Sequence, residues 1–474
     1  MKDCDPALRA LLAEYGQEHV LAFWPQLSPE MRAELAAELR GIDLEQLQRL
    51  YRQGEAVHDW AALAARAESP PTFRQGRADQ SPSPQDARRR GVDALAHVAV
   101  VLVAGGQGTR LGFNHPKGMY PIGPLSRSSL FQILLEKTLA IGRRHGLRIP
   151  LYVMTSPATH EETAEFLERH GRFGLSQEDV TLFCQGTMPA VDAETGRLLL
   201  AAKHRLALSP DGTGGIVSAM QRHGVLRQMR ERGLEQAFYM QVDNPLVSVC
   251  DVAFLGYHLL AGAEISTQVV TKESPLEPLG NVVSIDGRLR ILEYSDLAWA
   301  ARQRPEILER RLPDGKSVFW AGNLGIHVID VAFLERMAAH DDLLPFHVAR
   351  KKVPYVDVET GELVSPTREN AMKFERFAFD MLPAARRSVV VEVDRRTYFA
   401  PLKNGPGAAK DTPEAVQAQM VSVHRQWLAE AGAKVSEHAR VEISPLWALD
   451  AEQVKERQRP GMVVDEDWYF DENS

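Results

Sequence analysis

The chain has 474 residues, of which 44% are hydrophobic and 25% charged, the composition of an ordinary globular protein long enough for about three domains. Lys and Arg number 55 against 63 Asp and Glu, a net charge of −8, so there is no basic excess to hold a nucleic acid through its phosphates. The longest apolar run, Val98 to Ala104, is far too short to cross a bilayer, and the three cysteines (Cys4, Cys184, Cys250) write neither a disulfide frame nor a CxxC site. The start, MKDCDPALRALL, lacks a signal-peptide core, so the expected compartment is the cytoplasm, without a membrane or nucleic-acid partner.

Leu8, Leu11, Leu12 and Tyr15, then Met31, Leu35 and Leu39, then Leu44, Leu47 and Leu50 recur at helical spacing and predict a helical lead-in. Ser28-Pro29 reads as a helix start, with Ser as N-cap and Pro at the first position. Glu68 to Arg90 is rich in Pro, Ser, Gln and Arg with few large apolar residues, and reads as a surface connection. His97–Ala104 (HVAVVLVA) has the β-branched continuity of a strand buried on both faces of a parallel sheet. A glycine loop follows, then a helix with Ser129 and Gln132 spaced as a capping box. Ile149–Met154, Thr181–Phe183 and Phe238–Val242 are further predicted strands. Thr159–Glu162 starts a second helix, and another spans roughly Gly215–Arg232. This alternation indicates an α/β domain with a mostly parallel sheet. A helix at Pro413–Ala431 and short alternations at Lys434–Ser436 and Val441–Ile443 suggest a small C-terminal unit. The expected division is a helical segment with a polar linker (1–90), a catalytic domain (91–404) and a small C-terminal domain (405–474).

The chemistry concentrates after the first strand, in Gly105-Gly106-Gln107-Gly108-Thr109-Arg110-Leu111-Gly112 and on to Pro116-Lys117-Gly118. Clustered glycines let backbone N–H groups close on an anion, and Arg110 and Lys117 add cations at the same mouth, implying a di- or triphosphate. The dinucleotide fingerprint fails because Leu111 stands where its third glycine belongs, and Pro116-Lys117-Gly118 is not a P-loop. The 15 histidines form no HxH or HxxxH cluster, so zinc is not expected.

GGQGTRLG followed by PKGMY (Pro116–Tyr120) resembles the signature of the UDP-sugar pyrophosphorylases, nearest to the eukaryotic-type UDP-N-acetylhexosamine pyrophosphorylases. The resemblance continues in order through IPLYVMTS (Ile149–Ser156), CQGTMPA (Cys184–Ala190), SPDGTGG (Ser209–Gly215) and VDNPLV (Val242–Val247). LEYSDL (Leu292–Leu297), AGNLGIH (Ala321–His327), KKVPYVD (Lys351–Asp357), KFERFAFD (Lys373–Asp380) and FAPLKN (Phe399–Asn404) complete it. It implies a Rossmann-like nucleotidyltransferase core and an enzyme that makes UDP-sugar and pyrophosphate from UTP and a sugar 1-phosphate, as a monomer or weak homo-oligomer.

By the same resemblance, Arg110, Lys117 and Lys403 are the catalytic cations. Gly105, Gly106, Gly108, Thr109, Gln185, Gly214 and Gly215 bind the nucleotide, with Gln185 reading the uracil edge. Thr213, Asp243, Asn244, Gly280, Glu293, Asn323 and Lys373 bind substrate, and Asp243 is the Mg2+ ligand. Read locally, Glu293 looks like an exposed strand residue, Asn323 like a turn residue and Lys373 like the solvated face of an amphipathic helix. Thr213-Gly214-Gly215 stands where N-acetylhexosamine members usually have Asn-Gly-Gly, which leaves N-acetylglucosamine 1-phosphate and a hexose 1-phosphate both open. A catalytically silent nucleotide-sugar binder of the same fold is the alternative.

Overall fold

The computed structural model describes residues 4–54, 59–340 and 343–474. These form two compact units, each woven from separated stretches of chain: the described parts of 1–58, 185–218 and 341–380 make the smaller, and 59–184, 219–340 and 381–474 the larger.

The larger unit is built on a ten-stranded sheet. In chain order its strands are β1 (Thr72–Arg74), β2 (Val98–Val103), β3 (Leu151–Thr155), β4 (Val180–Cys184), β5 (Gln236–Gln241), β6 (Ile265–Thr271), β7 (Asn281–Ile285), β8 (Arg288–Leu292), β9 (Ala321–Asp330) and β10 (Ser388–Glu392). The spatial order is β1-β10-β6-β9-β5-β2-β3-β4, with the β7–β8 hairpin attached beside β9. Along this path every pairing is parallel except those of β9, which runs against both neighbours. All six residues of β2 are buried, as a strand covered on both faces requires. From β2 the chain builds outward through β3 and β4, then returns to place β5 on β2's other side. The strand order therefore reverses between β2 and β5, the point where open α/β sheets leave a crevice at their carboxyl ends.

Most predicted strands and helices appear with small shifts at their ends. Ser28 caps the helix Pro29–Arg40 and Ser129 the helix Leu130–His145, each accepting the third backbone N–H onward. Gly146, in the left-handed region, closes the latter after a basic last turn of Arg143, Arg144 and His145. Thr159 occupies the N-cap position of the helix His160–Arg169, but its hydroxyl bonds Ser156 instead of capping the helix. The single helix expected over 215–232 is two, Ile216–Arg222 and Val225–Glu231, broken by left-handed Gly224.

The expected surface connection at Glu68–Arg90 is instead part of the larger unit. β1 adds to the sheet edge beside β10, and the helix Pro84–Ala94 packs on the helix Val252–Leu260. A Cβ on Gly91 would overlap the Val252 carbonyl, and one on Gly256 would overlap the Ala87 carbonyl. Small residues, not large apolar ones, make this contact, which is why composition concealed it. Phe73 stacks on Tyr257 at 4.8 Å, and the Gln80 amide donates to the Tyr257 hydroxyl at 2.6 Å.

In the smaller unit the lead-in helices share one core with Val191, Leu198, Leu206, Val356 and Phe374. The C-terminal stretch, in the larger unit, has its own apolar cluster. There the helix Pro413–Glu430 covers two parallel pairs, Lys434–Val435 with Val463–Val464 and Val441–Ile443 with Trp468–Phe470. Among the described residues no helix is long and apolar enough to cross a membrane.

Gly256→Ala forces two helix backbones apart and should cost about 1–3 kcal/mol in chemical denaturation; a change within experimental error would refute the close approach. Glu264 accepts two hydrogen bonds from Arg336, at 2.6 and 2.8 Å, and one from the Arg386 N–H. The Arg336 bonds hold its pKa down to about 2. A depressed carboxylate stabilises the fold above its ordinary pKa and loses that contribution as pH falls. Glu264→Gln should therefore cost about 1–3 kcal/mol at pH 7, with the gap from wild type closing between pH 4.5 and 2.

Candidate active site

The glycine loop leaves β2 at Ala104 and folds back on itself. The Gly108 N–H donates to the His115 carbonyl at 2.9 Å and the Lys117 N–H to the Gly106 carbonyl at 3.0 Å. Gly108 is required here, because a Cβ would lie 2.7 Å from the Phe113 carbonyl oxygen. Its N–H is thereby used inside the loop, a correction to its expected place in an anion cradle. Gly106 is different. The Ser156 hydroxyl, from the end of β3, holds the Gly105 carbonyl at 2.7 Å. In a trans peptide this turns the Gly106 N–H the opposite way. Among the described residues nothing accepts that N–H, and a Cβ on Gly106 would meet nothing within 4 Å. Thr109 and Arg110 follow on the exposed side of the loop.

Asp243 stands just beyond β5, beside β2. The Lys117 Nζ lies 3.5 Å from its Oδ2, and both side chains are mostly buried. The Asp243 carbonyl accepts the Leu402 N–H at 2.8 Å, which brings the Lys403 segment to the same edge. A Cβ on Gly405 would lie 3.0 Å from the Arg110 carbonyl oxygen. The chain segments that carry Arg110, Lys117, Lys403 and Asp243 thus meet at the carboxyl ends of β2 and β5. Among the described residues, neither Arg110 nor Lys403 has a carboxylate within ion-pair distance.

Asn244, expected to touch substrate, is 4% exposed and bonds protein instead. Its Nδ2 donates to the Tyr398 carbonyl at 2.8 Å, and its Oδ1 accepts the Ala400 and Leu246 N–H groups at 3.1 and 3.2 Å. It staples the segment that carries Lys403.

A second cluster of predicted residues gathers around β9. Asn323 lies within β9, not in a turn, and Glu293 is the N-cap position of the helix Tyr294–Gln303, just past β8. The Asn323 N–H donates to the Gly280 carbonyl at 2.9 Å. A Cβ on Gly280 would sit 2.9 Å from Glu293 Oε1, so glycine leaves room for that carboxylate. The side-chain oxygen of Asn323 accepts the Gly325 N–H and the Thr267 hydroxyl, both at 3.1 Å. A backbone N–H can only donate, which fixes the amide's orientation and leaves its NH2 facing away from these bonds.

Sequence reading missed Lys272. Its ammonium is buried and donates to the carbonyls of Pro275 and Leu279 and to Asn281 Oδ1, at 2.8, 3.0 and 2.6 Å. Burial pulls its pKa down to about 8, partly offset by Glu277 and Glu293. It braces the loop that ends at Gly280, and no motif announced it.

In the smaller unit, Gln185 is buried and the stretches after it are laced together. Asp211 N–H donates to the Gly186 carbonyl, Arg376 N–H to the Asp211 carbonyl and Gly214 N–H to the Arg376 carbonyl. A Cβ on Gly214 would lie 2.7 Å from Arg376 Cβ, and one on Gly215 would overlap the Asp211 carboxylate. These glycines are explained by internal packing. The Thr213 hydroxyl accepts the Ala378 N–H at 3.1 Å. Lys373 lies on the strand Ala371–Glu375, paired with His347–Lys351, and not on the expected helix; among the described residues no carboxylate pairs with it. The described residues also contain no group of three or more His, Cys, Asp or Glu able to hold a metal by themselves.

A family model described as UTP–glucose-1-phosphate uridylyltransferase matches residues 55–458. The human UDP-N-acetylhexosamine pyrophosphorylase-like protein 1 is 39% identical over 501 aligned residues, covering 97% of both chains. The UDP-N-acetylglucosamine pyrophosphorylase of Saccharomyces cerevisiae is 33% identical over 96% of this chain and 98% of its own. The fold matches the crystal structure of the Trypanosoma brucei uridine diphosphate N-acetylglucosamine pyrophosphorylase with a TM-score of 0.80, at 24% identity over 98% of this chain and 99% of that one. The chain belongs to the UDPGP family, the group described by UTP–glucose-1-phosphate uridylyltransferase.

Proposed function

We propose that the protein is a UTP:sugar-1-phosphate uridylyltransferase acting on N-acetylglucosamine 1-phosphate. The observation that carries the reading is the Lys117–Asp243 pair at the carboxyl ends of two adjacent parallel strands, with the Arg110 and Lys403 segments at the same edge and neither cation paired with a carboxylate among the described residues. Such a set suits a polyanion. The sugar is chosen from the printed activities of relatives such as the yeast enzyme; a silent binder has no observation in its favour.

A phosphate oxygen of the sugar phosphate attacks the α-phosphorus of UTP in line. The new oxygen–phosphorus bond forms as the bond to the β-phosphate oxygen breaks, and pyrophosphate leaves. With a second pKa near 6, the attacking phosphate is largely a dianion at neutral pH, so no general base is needed. The protein's work is alignment and charge neutralisation. On this reading Arg110 and Lys117 hold the triphosphate, the Gly106 N–H faces a phosphate oxygen, and Lys403 meets charge building on the phosphates. Gln185 reads uracil, Glu293 and the Asn323 NH2 bind sugar hydroxyls, and Lys373 contacts the sugar phosphate.

The donor set fits Mg2+: one carboxylate, Asp243, suffices for a hard cation that takes its remaining ligands from phosphate and water. Bound there, Mg2+ would supply neutralisation of phosphate charge. Cytoplasmic location, a monomer or weak homo-oligomer, and no nucleic-acid or membrane partner complete the reading.

The test is pyrophosphate release from UTP and Mg2+ with the 1-phosphates of N-acetylglucosamine, N-acetylgalactosamine, glucose and galactose. N-acetylglucosamine 1-phosphate should give the highest kcat/KM; a higher value for glucose 1-phosphate reverses the sugar assignment, and no release with any of the four sinks the enzyme reading. Lys403→Ala should lower kcat by about 10²–10³ with an unchanged melting temperature, because no ion pair is broken. A fall in melting temperature matching the loss of activity would make Lys403 a structural residue.

A further inference from the structure

Gly280, Glu293 and Asn323 come from three separate stretches of the larger unit, and one buried side chain, Lys272, reaches all three. Lys272 follows β6. Its N–H donates to the Trp320 carbonyl at 2.8 Å, and its stem runs along Gly322, where a Cβ would lie 2.9 Å from Lys272 Cγ. The ammonium then donates to the Pro275 and Leu279 carbonyls and to Asn281 Oδ1. An ammonium has three donors and no acceptor, so three converging oxygens use it completely, where a neutral amide would leave one of them bare. Among the described residues no carboxylate lies within ion-pair distance of Lys272. Glu277, the acid with the strongest pull on it, is itself held by Arg395 at 2.5 and 3.3 Å and by the Glu273 N–H at 2.8 Å. A buried cation given wholly to neutral oxygens is a costly way to close a loop if stability is its only purpose.

Asn281 carries the connection onward. It is fully buried and stands opposite Leu292 in the β7–β8 ladder. Because the ammonium can only donate, the atom facing Lys272 is the amide oxygen, and the NH2 donates to the Leu292 carbonyl at 3.1 Å. That carbonyl belongs to the peptide leading into Glu293, so its direction sets the plane from which the Glu293 Cα departs. On the other side, the Leu279 carbonyl held by Lys272 belongs to the peptide leading into Gly280. A Cβ on Gly280 would crowd Glu293 Oε1, and the Gly280 carbonyl accepts the Asn323 N–H. Two hydrogen-bonded paths from one ammonium thus converge on the Glu293 carboxylate.

We propose that Lys272 and Asn281 are positioning residues for sugar recognition: together they fix the peptides before Glu293 and Gly280 and so hold the Glu293 carboxylate where a sugar hydroxyl meets it. The inference rests on the uridylyltransferase reading with Glu293 as a sugar ligand, and it gives neither residue a contact with UTP. Displacing a recognition group by a fraction of an ångström is enough to weaken the bond it makes, so the loss falls on the sugar phosphate alone.

The test is steady-state pyrophosphate release by the full chain, with N-acetylglucosamine 1-phosphate and UTP varied separately. Asn281→Asp keeps an oxygen for Lys272 but loses the NH2 that holds the Leu292 carbonyl. It should raise KM for the sugar phosphate at least tenfold and leave KM for UTP within twofold. Lys272→Met should give the same split at a lower melting temperature. Glu293→Gln should itself raise the sugar-phosphate KM at least tenfold, and adding Asn281→Asp to it should raise that KM less than twofold further, because Asn281 acts through Glu293. An unchanged sugar-phosphate KM in both single variants, an equal rise in both KM values, or full multiplication of the two effects in the double variant would overturn the inference while leaving the enzyme reading intact. If Glu293→Gln leaves the sugar-phosphate KM unchanged, the assignment of Glu293 fails and the inference falls with it; absence of turnover by the wild type is the separate failure of the enzyme reading.

Discussion

The parallel pairing of β2 with β5 is the constraint on which the site depends. The two strands run in register from Val98 opposite Gln236 to Val103 opposite Gln241, and the Val242 N–H extends the ladder to the Val103 carbonyl. Strands that start and stop together release their loops at one level. The glycine loop and Asp243 therefore leave the sheet side by side, although a long stretch of chain separates them. The sheet core pays for this arrangement: β2 and β5 are buried almost throughout, so their register cannot slip without exposing apolar side chains.

Beyond the sheet, short polar bonds position the loops. Ser156 fixes the Gly105 peptide, Asn244 binds the Lys403 segment, and Lys272 braces the loop ending at Gly280. Each uses its side chain on backbone, so each loop's path is set by directional bonds with little rotamer freedom. The cations that the proposed reaction assigns to the phosphates are treated the opposite way. Arg110 and Lys403 have no carboxylate partners among the described residues, so their attraction is available when a polyanion arrives.

Much of this was legible in the chain. The β-branched run at Val98–Val103 announced its strand, and the three clustered glycines announced a tight loop after it, because both signals are local. The errors share a cause. Glu68–Arg90 lacks large apolar residues, yet its helix packs through Ala87 and Gly91 at backbone distance, a contact visible only with its partner Gly256 present. Lys373 reads equally well on a helix or a strand until the ladder with His347–Lys351 is known. Asn244 sits in a motif and looks like a ligand, but the residues it binds, Tyr398 and Ala400, lie far along the chain.

The sequence by itself determined the class of fold, the family resemblance and the kinds of side chain available for phosphate chemistry, since these follow from composition, periodicity and motif. Tertiary structure decided which of those side chains face an open edge and which hold the backbone. A side chain's role depends on which donors and acceptors surround it. Asn244, Gly108 and Gly214 are occupied by internal bonds or packing, whereas Gly106 presents an N–H with no acceptor among the described residues. That distinction depends on long-range pairing, which no local pattern of residues encodes.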